Sequence, residues 1–193
     1  MYEYIKGTIS GLTPAGVVIE TSGLAYFLHI SVNTYSRIKG QENSKLFLHQ
    51  VVREDAHLLY GFSEQEERDF FRMLISVNGI GAAIAIMMLS SYLPEDLRNA
   101  ILTDNVNLLK SIKGIGAKTA QRVIIDLKDK VGKGVASDRI FLSGNSVVRN
   151  EALSALEMLG FNKKAVENSI DHILAAKPDL TVEQLLKIAL KSF

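Results

Sequence analysis

Leu74-Ile75-Ser76-Val77-Asn78-Gly79-Ile80-Gly81-Ala82-Ala83-Ile84-Ala85 and Leu109-Lys110-Ser111-Ile112-Lys113-Gly114-Ile115-Gly116-Ala117-Lys118-Thr119-Ala120 are two copies of one pattern. An offset of 35 residues, Gly79 to Gly114, also aligns Leu74 with Leu109, Val77 with Ile112, Ile80 with Ile115 and Ala85 with Ala120. Each copy reads as helix, tight Gly-Ile-Gly turn, helix. Glycine reaches backbone angles that other residues avoid and lets a second backbone come close. The isoleucine between the glycines is placed to point inward and pin the two helices. After each turn a new helix begins with unpaired N–H groups at its positive dipole end, which suits an anion. A single Gly-x-Gly often marks only a turn; two copies in register point to a repeated task.

This is the helix-hairpin-helix pattern of proteins that bind DNA without reading its sequence. A backbone phosphate is the natural guest, and phosphate contacts position a duplex without reading bases. The candidate DNA-binding residues are Asn78, Gly79, Ile80 and Gly81 in the first copy. In the second they are Lys113, Gly114, Ile115, Gly116, Lys118, Thr119 and Arg122. Lys118 stands immediately after the turn and is the stronger cation. Arg122 has two readings of equal weight, a phosphate contact or an i,i+4 pair with Asp126.

The whole chain sets the frame. Its 193 residues are 47% apolar and 22% charged, the profile of a soluble globular protein of one to three domains. No stretch approaches the run of about 18 apolar residues that spans a bilayer. The start, Met1-Tyr2-Glu3-Tyr4, lacks a signal-peptide layout, so a cytoplasmic location is expected. There is no cysteine, which removes disulfides, thiol catalysis and zinc–thiolate sites. The net charge is only +1, with acids and bases nearly balanced both in residues 1–62 and in 63–135. A DNA binder without a basic patch must lean on amides and a few placed cations, and gains from acting as an oligomer.

Residues 1–62 read as five short strands: Tyr4–Ile9, Val17–Glu20, Ala25–Ile30, Lys45–Val52 and His57–Phe62, with a helical piece near Thr34–Ile38. Evenly spaced strands of this kind suggest a small barrel of the OB type. Between the last two strands stands the polar tip Arg53-Glu54-Asp55-Ala56. Polar tips are common, but paired carboxylates here would repel DNA. A carboxylate about 4 Å from a phosphate, at an effective dielectric near 20, costs about 4 kcal/mol. Residues 63–134 are helical. Ser63-Glu64-Gln65-Glu66 looks like a capping box, Phe70, Phe71, Leu74 and Val77 form an apolar stripe, Ile84–Leu89 read as a buried helix, and Pro94-Glu95-Asp96 opens another.

The glycine- and serine-rich segment from Val131 to Ser146 reads as a linker, placed at residues 135–145, with Ile140-Phe141-Leu142 as a sticky interruption. Residues 146–193 read as a three-helix bundle. Val148, Ala152, Leu153, Leu156 and Leu159 face inward on its first helix, which Gly160 stops. Asn162 caps the second, with Ala165, Val166, Ser169, Ile170, Ile173 and Leu174 inward. After Pro178, Thr181-Val182-Glu183-Gln184 caps the third, with Leu185, Leu186, Ile188, Ala189 and Leu190 inward. So small a tethered bundle suits docking better than catalysis. The expected fold class is α+β: a five-stranded OB-like barrel, tandem helix-hairpin-helix motifs, and a C-terminal three-helix bundle.

No catalytic constellation emerges. His29, His49, His57 and His172 are scattered, and the phosphate-loop lysine motif is missing. Glu54 and Asp55 alone are a poor Mg²⁺ site. A binding protein without a cofactor is the expectation. The alternatives are a structure-specific nuclease or glycosylase that uses the hairpins as its grip, and a protein adaptor that uses them only as helix packing.

The segment Val51-Val52-Arg53-Glu54-Asp55-Ala56-His57-Leu58-Leu59-Tyr60-Gly61-Phe62, followed by paired hairpins and linked C-terminal helices, closely resembles the RuvA family of bacterial Holliday-junction-binding proteins over essentially the whole chain. The resemblance implies a homotetramer, or two tetramers face to face, holding a four-way junction open and square. Glu54 and Asp55 would be acidic pins at the crossover. Residues around Gly79–Gly81 and Gly114–Gly116 would hold the arms, and the C-terminal bundle would dock the hexameric RuvB ATPase. A RuvC-type resolvase would be a further partner in species that have one. Family members often carry lysine where this chain has Ala83, and a basic residue where it has Ala117, so its grip leans more on amides. The family's Gly-h-Gly-Tyr turn reads Gly23-Leu24-Ala25-Tyr26 here.

Overall fold

The computed structural model describes residues 2–139, 144–177 and 180–192. They fall into two compact units, Met1–Gly132 and Lys133–Phe193. In the first, β1 (Tyr4–Thr13), β2 (Gly16–Thr21), β3 (Leu24–Ile30), β4 (Asn43–Val52) and β5 (His57–Phe62) close a barrel in the order β1-β2-β3-β5-β4. Helix α1 (Val32–Ile38) lies between β3 and β4 in the chain. All neighbours pair antiparallel except β3 and β5, the arrangement expected of an OB-type barrel. The inward sides of the strands supply Val17, Ile19, Leu28, Ile30, Leu46 and Leu48, all buried. The first strand runs four residues past the Ile9 expected from alternation. A register shift between Ile9 and Gly11 absorbs the irregularity and lets pairing with β2 continue to Thr13. Ser22 and Gly23, both at positive φ, make the two-residue turn between β2 and β3, so the altered Gly-Leu-Ala-Tyr stretch still turns tightly.

Helices α2 (Gln65–Ile75), α3 (Ala82–Ser91), α4 (Pro94–Leu102), α5 (Val106–Lys110) and α6 (Ala117–Arg139) follow. A second core runs without interruption from Tyr60 and Phe62 of the barrel through Phe70, Leu74, Leu97 and Leu109 to Val131. The barrel and the hairpin region, expected as separate domains, therefore form one compact unit. The seam is aromatic: Phe71 of α2 packs against Tyr60, Phe62 and His49, with ring centroids 5.0–5.3 Å apart.

Ser63 does not cap α2, whose N-cap is Glu64 without a side-chain bond. The Ser63 N–H donates to Thr34 Oγ1 at 3.0 Å, and Glu66 pairs with Arg98 of α4 rather than closing a box. The expected linker is also shorter. Helix α6 continues through Gly132 and Gly134 to Arg139, and α7 starts at Gly144. Each interior glycine costs a helix about 1 kcal/mol, which the buried Leu127 and Val131 just upstream can offset. The Ile140-Phe141-Leu142 segment lies outside the described residues, as does Pro178.

In the second unit, α7 (Gly144–Met158), α8 (Lys163–Ala176) and α9 (Val182–Ser192) enclose Ala152, Leu156, Val166, Ile170, Leu185 and Ala189. Gly160 ends α7 at φ +93, with Phe161 N–H donating to Leu156 O and Gly160 N–H to Glu157 O. Asn162 Oδ1 accepts from the N–H groups of Lys164 and Ala165. Thr181 and Gln184 cap each other reciprocally. Three residues expected inside are exposed instead: Leu159 at 63%, Ala165, and Leu190. Leu159 lies beyond the end of α7, where the glycine turn breaks the helical period.

Candidate nucleic-acid interface

The aligned turns repeat atom for atom. In the first, Val77 N–H donates to Leu74 O, Ile80 N–H to Val77 O and Ala85 N–H to Gly81 O, at 3.0–3.1 Å. In the second, Ile112 donates to Leu109, Ile115 to Ile112 and Ala120 to Gly116, at 2.9–3.3 Å. Gly79 and Gly114 sit at φ +95 and +94, where an L side chain is strained. Ile80 and Ile115 are 4% and 5% exposed and join the common core, as their place between the glycines predicts.

Gly81 and Gly116 differ from these. A side chain at either would meet nothing within 4 Å, so the fold leaves the space in front of both open. Gly81 is the N-cap of α3 and supplies no side-chain cap, which leaves the first amides of that helix without a capping side chain. Asn78, Lys113, Lys118 and Arg122 are all exposed, and Thr119 is half-buried. Among the described residues Arg122 makes no ion pair, so the alternative pairing with Asp126 is not formed. Lys118 likewise has no acidic partner there. Ala83 and Ala117, in the first turns of α3 and α6, are exposed. Each hairpin thus offers an open glycine, a run of amides and, in the second, free cations. That is a surface suited to the sugar-phosphate backbone.

Arg53–Ala56 forms a tight turn between β4 and β5, closed by Arg53 N–H donating to Ala56 O at 2.8 Å. Glu54 and Asp55 are exposed at its tip, with no cationic partner among the described residues. The base of this arm touches the first hairpin's territory. Leu58 of β5 and Ala83 of α3 line one apolar groove, so the acidic tip and an amide-bearing helix start spring from adjoining parts of one unit.

Sequence reading missed the residues that join barrel to hairpin. Glu67 and Arg68 of α2 are 5% and 3% exposed. Ser31 Oγ donates to one oxygen of Glu67 and Thr34 Oγ1 to the other, the latter at 2.7 Å. Burial pushes the Glu67 carboxyl above its ordinary range, against those two hydroxyls and the nearby Arg37. Arg68 pairs with Glu3 and Asp69 and lies over the Phe47 ring. A signal for Glu67 was present, because it precedes Phe70, Phe71 and Leu74 by three, four and seven residues and so falls on the core stripe. The described residues hold no cluster of metal-ligating side chains. None of the described helices is long and apolar enough to cross a membrane.

Comparison with known proteins covers the chain from end to end. Residues 1–61 match the family described as RuvA N terminal domain, 71–129 the SAM-like helix-hairpin-helix tandem, and 147–192 the RuvA C-terminal domain. Relatives described as Holliday junction branch migration complex subunit RuvA are 47% identical in Bacteroides fragilis, Christiangramia forsetii and Flavobacterium psychrophilum. The alignments span 199, 191 and 192 residues and cover 99% or more of both chains. With a closed barrel, two hairpins of identical bonding and a three-helix unit each where those matches fall, the chain belongs to the RuvA family.

Proposed function

We infer that this protein is a non-catalytic, cytoplasmic DNA-binding subunit that holds a four-way junction open for branch migration. The observation that carries the reading is the pair of hairpins with identical bonding and open space at Gly81 and Gly116. Duplex arms lay their phosphates against the amides of α3 and α6, while Lys118, Lys113 and Arg122 add charge on the second hairpin. Glu54 and Asp55 act at the crossover, where they repel the exchanging strands and keep them apart. Attraction at the arms and repulsion at the centre leave the junction bound yet mobile. Several subunits, as a tetramer or a pair of tetramers, supply enough weak clamps for useful affinity. The C-terminal unit, with its own core and exposed Met158 and Leu159, docks the RuvB-type motor ATPase that drives migration. A RuvC-type resolvase is a further partner where one exists.

The test is a gel-shift comparison of four-way junction, linear duplex and single strand, with Mg²⁺ present and the mass of the complex measured. Tight binding of uncut junction by a multimer is expected. Cleaved strands would favour the nuclease reading, and no shift at all the adaptor reading. With about 6–10 phosphates engaged, affinity should fall about 10³-fold or more between 50 and 200 mM salt.

A further inference from the structure

Glu67 and Arg68 are adjacent on α2, and each reaches a different part of the barrel. Glu67 reaches the β3–α1 junction. Its carboxylate accepts from Ser31 Oγ and Thr34 Oγ1, and these two hydroxyls are already committed on their other side. Ser31 Oγ accepts from the Thr34 N–H at 2.9 Å as the cap of α1, and Thr34 Oγ1 accepts from the Ser63 N–H at 3.0 Å. The two hydroxyls and the two N–H groups named here therefore each have one acceptor, and this pattern closes only around a two-oxygen acceptor, while the Ser63 hydroxyl is buried without a partner among the described residues. Arg68 reaches the β1–β4 seam, where it donates to the Glu3 carbonyl at 3.3 Å, beside the Leu48 N–H that bonds the same oxygen.

Arg68 also pairs with the Glu3 carboxylate, and Arg72 adds two long, half-buried bonds to β4, to His49 Nδ1 and to Leu48 O, both at 3.4 Å. What remains of the contact between α2 and the barrel is dominated by ring packing around Phe71. Apolar packing holds surfaces together without fixing rotation or register, whereas buried directional bonds do both. Helix α2 runs straight into the Ser76–Gly81 turn, and it packs against β4 and β5, the two strands that carry the Glu54–Asp55 tip.

We propose that Glu67, with its hydroxyl partners Ser31 and Thr34, is a positioning residue that sets where the first hairpin's phosphate clamp stands relative to the acidic tip, and so sets discrimination of a four-way junction from linear duplex. The inference rests on the junction-binding reading above. It assigns no DNA contact to Glu67, which is buried. It separates two quantities that simple stability would move together. Duplex affinity depends on each clamp alone, while junction preference depends on clamp and tip holding their spacing. A neutral Gln at position 67 relieves the burial of a charge, so the fold tolerates it. It also presents an NH₂ where an acceptor is required, which leaves one hydroxyl hydrogen without a partner.

The test uses the full-length protein with Glu67→Gln, Thr34→Val (same shape, no hydroxyl) and Thr34→Ser (hydroxyl kept). Junction and duplex affinities are titrated for each. Because the chain has no cysteine, spin labels at Lys6→Cys on β1 and Ser91→Cys on α3, diluted with unlabelled subunits, report the barrel-to-hairpin distance. Glu67→Gln and Thr34→Val should lower junction-over-duplex preference about fivefold or more and broaden the distance distribution. Duplex affinity should stay within about twofold, and Thr34→Ser should behave as wild type. Unchanged preference in both disruptive variants overturns the proposal, as does lost preference with an unbroadened distance. Wild-type protein with no preference for junctions would instead overturn the function on which the proposal rests.

Discussion

An alanine at Gly79 and an alanine at Gly81 should behave differently, although only Ile80 separates them. Gly79 is held at φ +95, so Gly79→Ala should cost about 1–2 kcal/mol of stability from backbone strain alone. Gly81 sits at φ −88 with nothing within 4 Å of an added side chain, so Gly81→Ala should cost under about 1 kcal/mol, the loss of a good N-cap. The methyl at Gly81 instead occupies the approach to the helix amides, and DNA affinity should drop there more than stability does. Urea denaturation and DNA titration of the two variants check this; wild-type affinity for Gly81→Ala would mean the backbone does not approach at that point. These turns were legible in the sequence because their constraint is local: glycine at a fixed step, isoleucine between. Ser63 and Glu67 were not, because residues far away in the chain decide their bonding. Ser63 resembles a cap until Thr34 takes its N–H, and Glu67 resembles a first-turn acid until Ser31 and Thr34 cover it.

Among the elements, the β4–β5 tip and α6 show where periodicity carries information and where it stops. The tip was readable as a charged turn between two alternating strands, and the structure leaves both acids exposed and, among the described residues, without an ion pair. Glu54→Gln with Asp55→Asn removes two charges without changing shape. Junction affinity should be kept or tightened in the double variant, while the rate of spontaneous or motor-driven migration changes; weaker junction binding by titration would count against repulsion as the tip's task. Helix α6 was read too short because Gly132 and Gly134 look like the start of a linker. A side chain at Gly132 would meet only Leu102 Cδ2, at 3.7 Å, an ordinary contact. Gly132→Ala should therefore stabilise the first unit by about 0.5–1 kcal/mol, measured by urea denaturation. Destabilisation there would mean that helix packing at Leu102 is tighter than this distance implies.

For the whole molecule, acid should act through two groups of opposite sign in the first unit and one carboxylate pair in the second. Burial raises the Glu67 carboxyl above its ordinary 4.5, so its contribution to stability is present below 4.5 and is lost as pH rises through the raised value. Burial, helped by Arg72 and Arg68, lowers His49 below 6.5, so its contribution is present above 6.5 and is lost as pH falls through the lowered value. Both lie in the first unit and oppose each other on the way down from neutral pH. Glu67→Gln separates them: the stability of wild type relative to this variant should rise between pH 7 and 4.5, leaving the His49 loss visible in the variant alone. In the second unit Arg149 holds Asp171 of α8 below 3.8, through hydrogen bonds first and charge second. That pair helps above pH 3.8 and fades as pH falls through the lowered value, with a small effect because the carboxylate is half exposed. Denaturation curves at pH 7, 5 and 3, followed by hydrogen exchange in peptides from α2 and from α7–α8, distinguish the units. Protonating Glu67, as pH falls through its raised value, also replaces the two-oxygen acceptor on which α2's alignment depends. The first unit should then gain the Glu67 contribution to stability while losing preference for junctions over duplex. A fall in both together between pH 7 and 4.5, relative to Glu67→Gln, would show that the charged carboxylate stabilises the joint rather than aligning it.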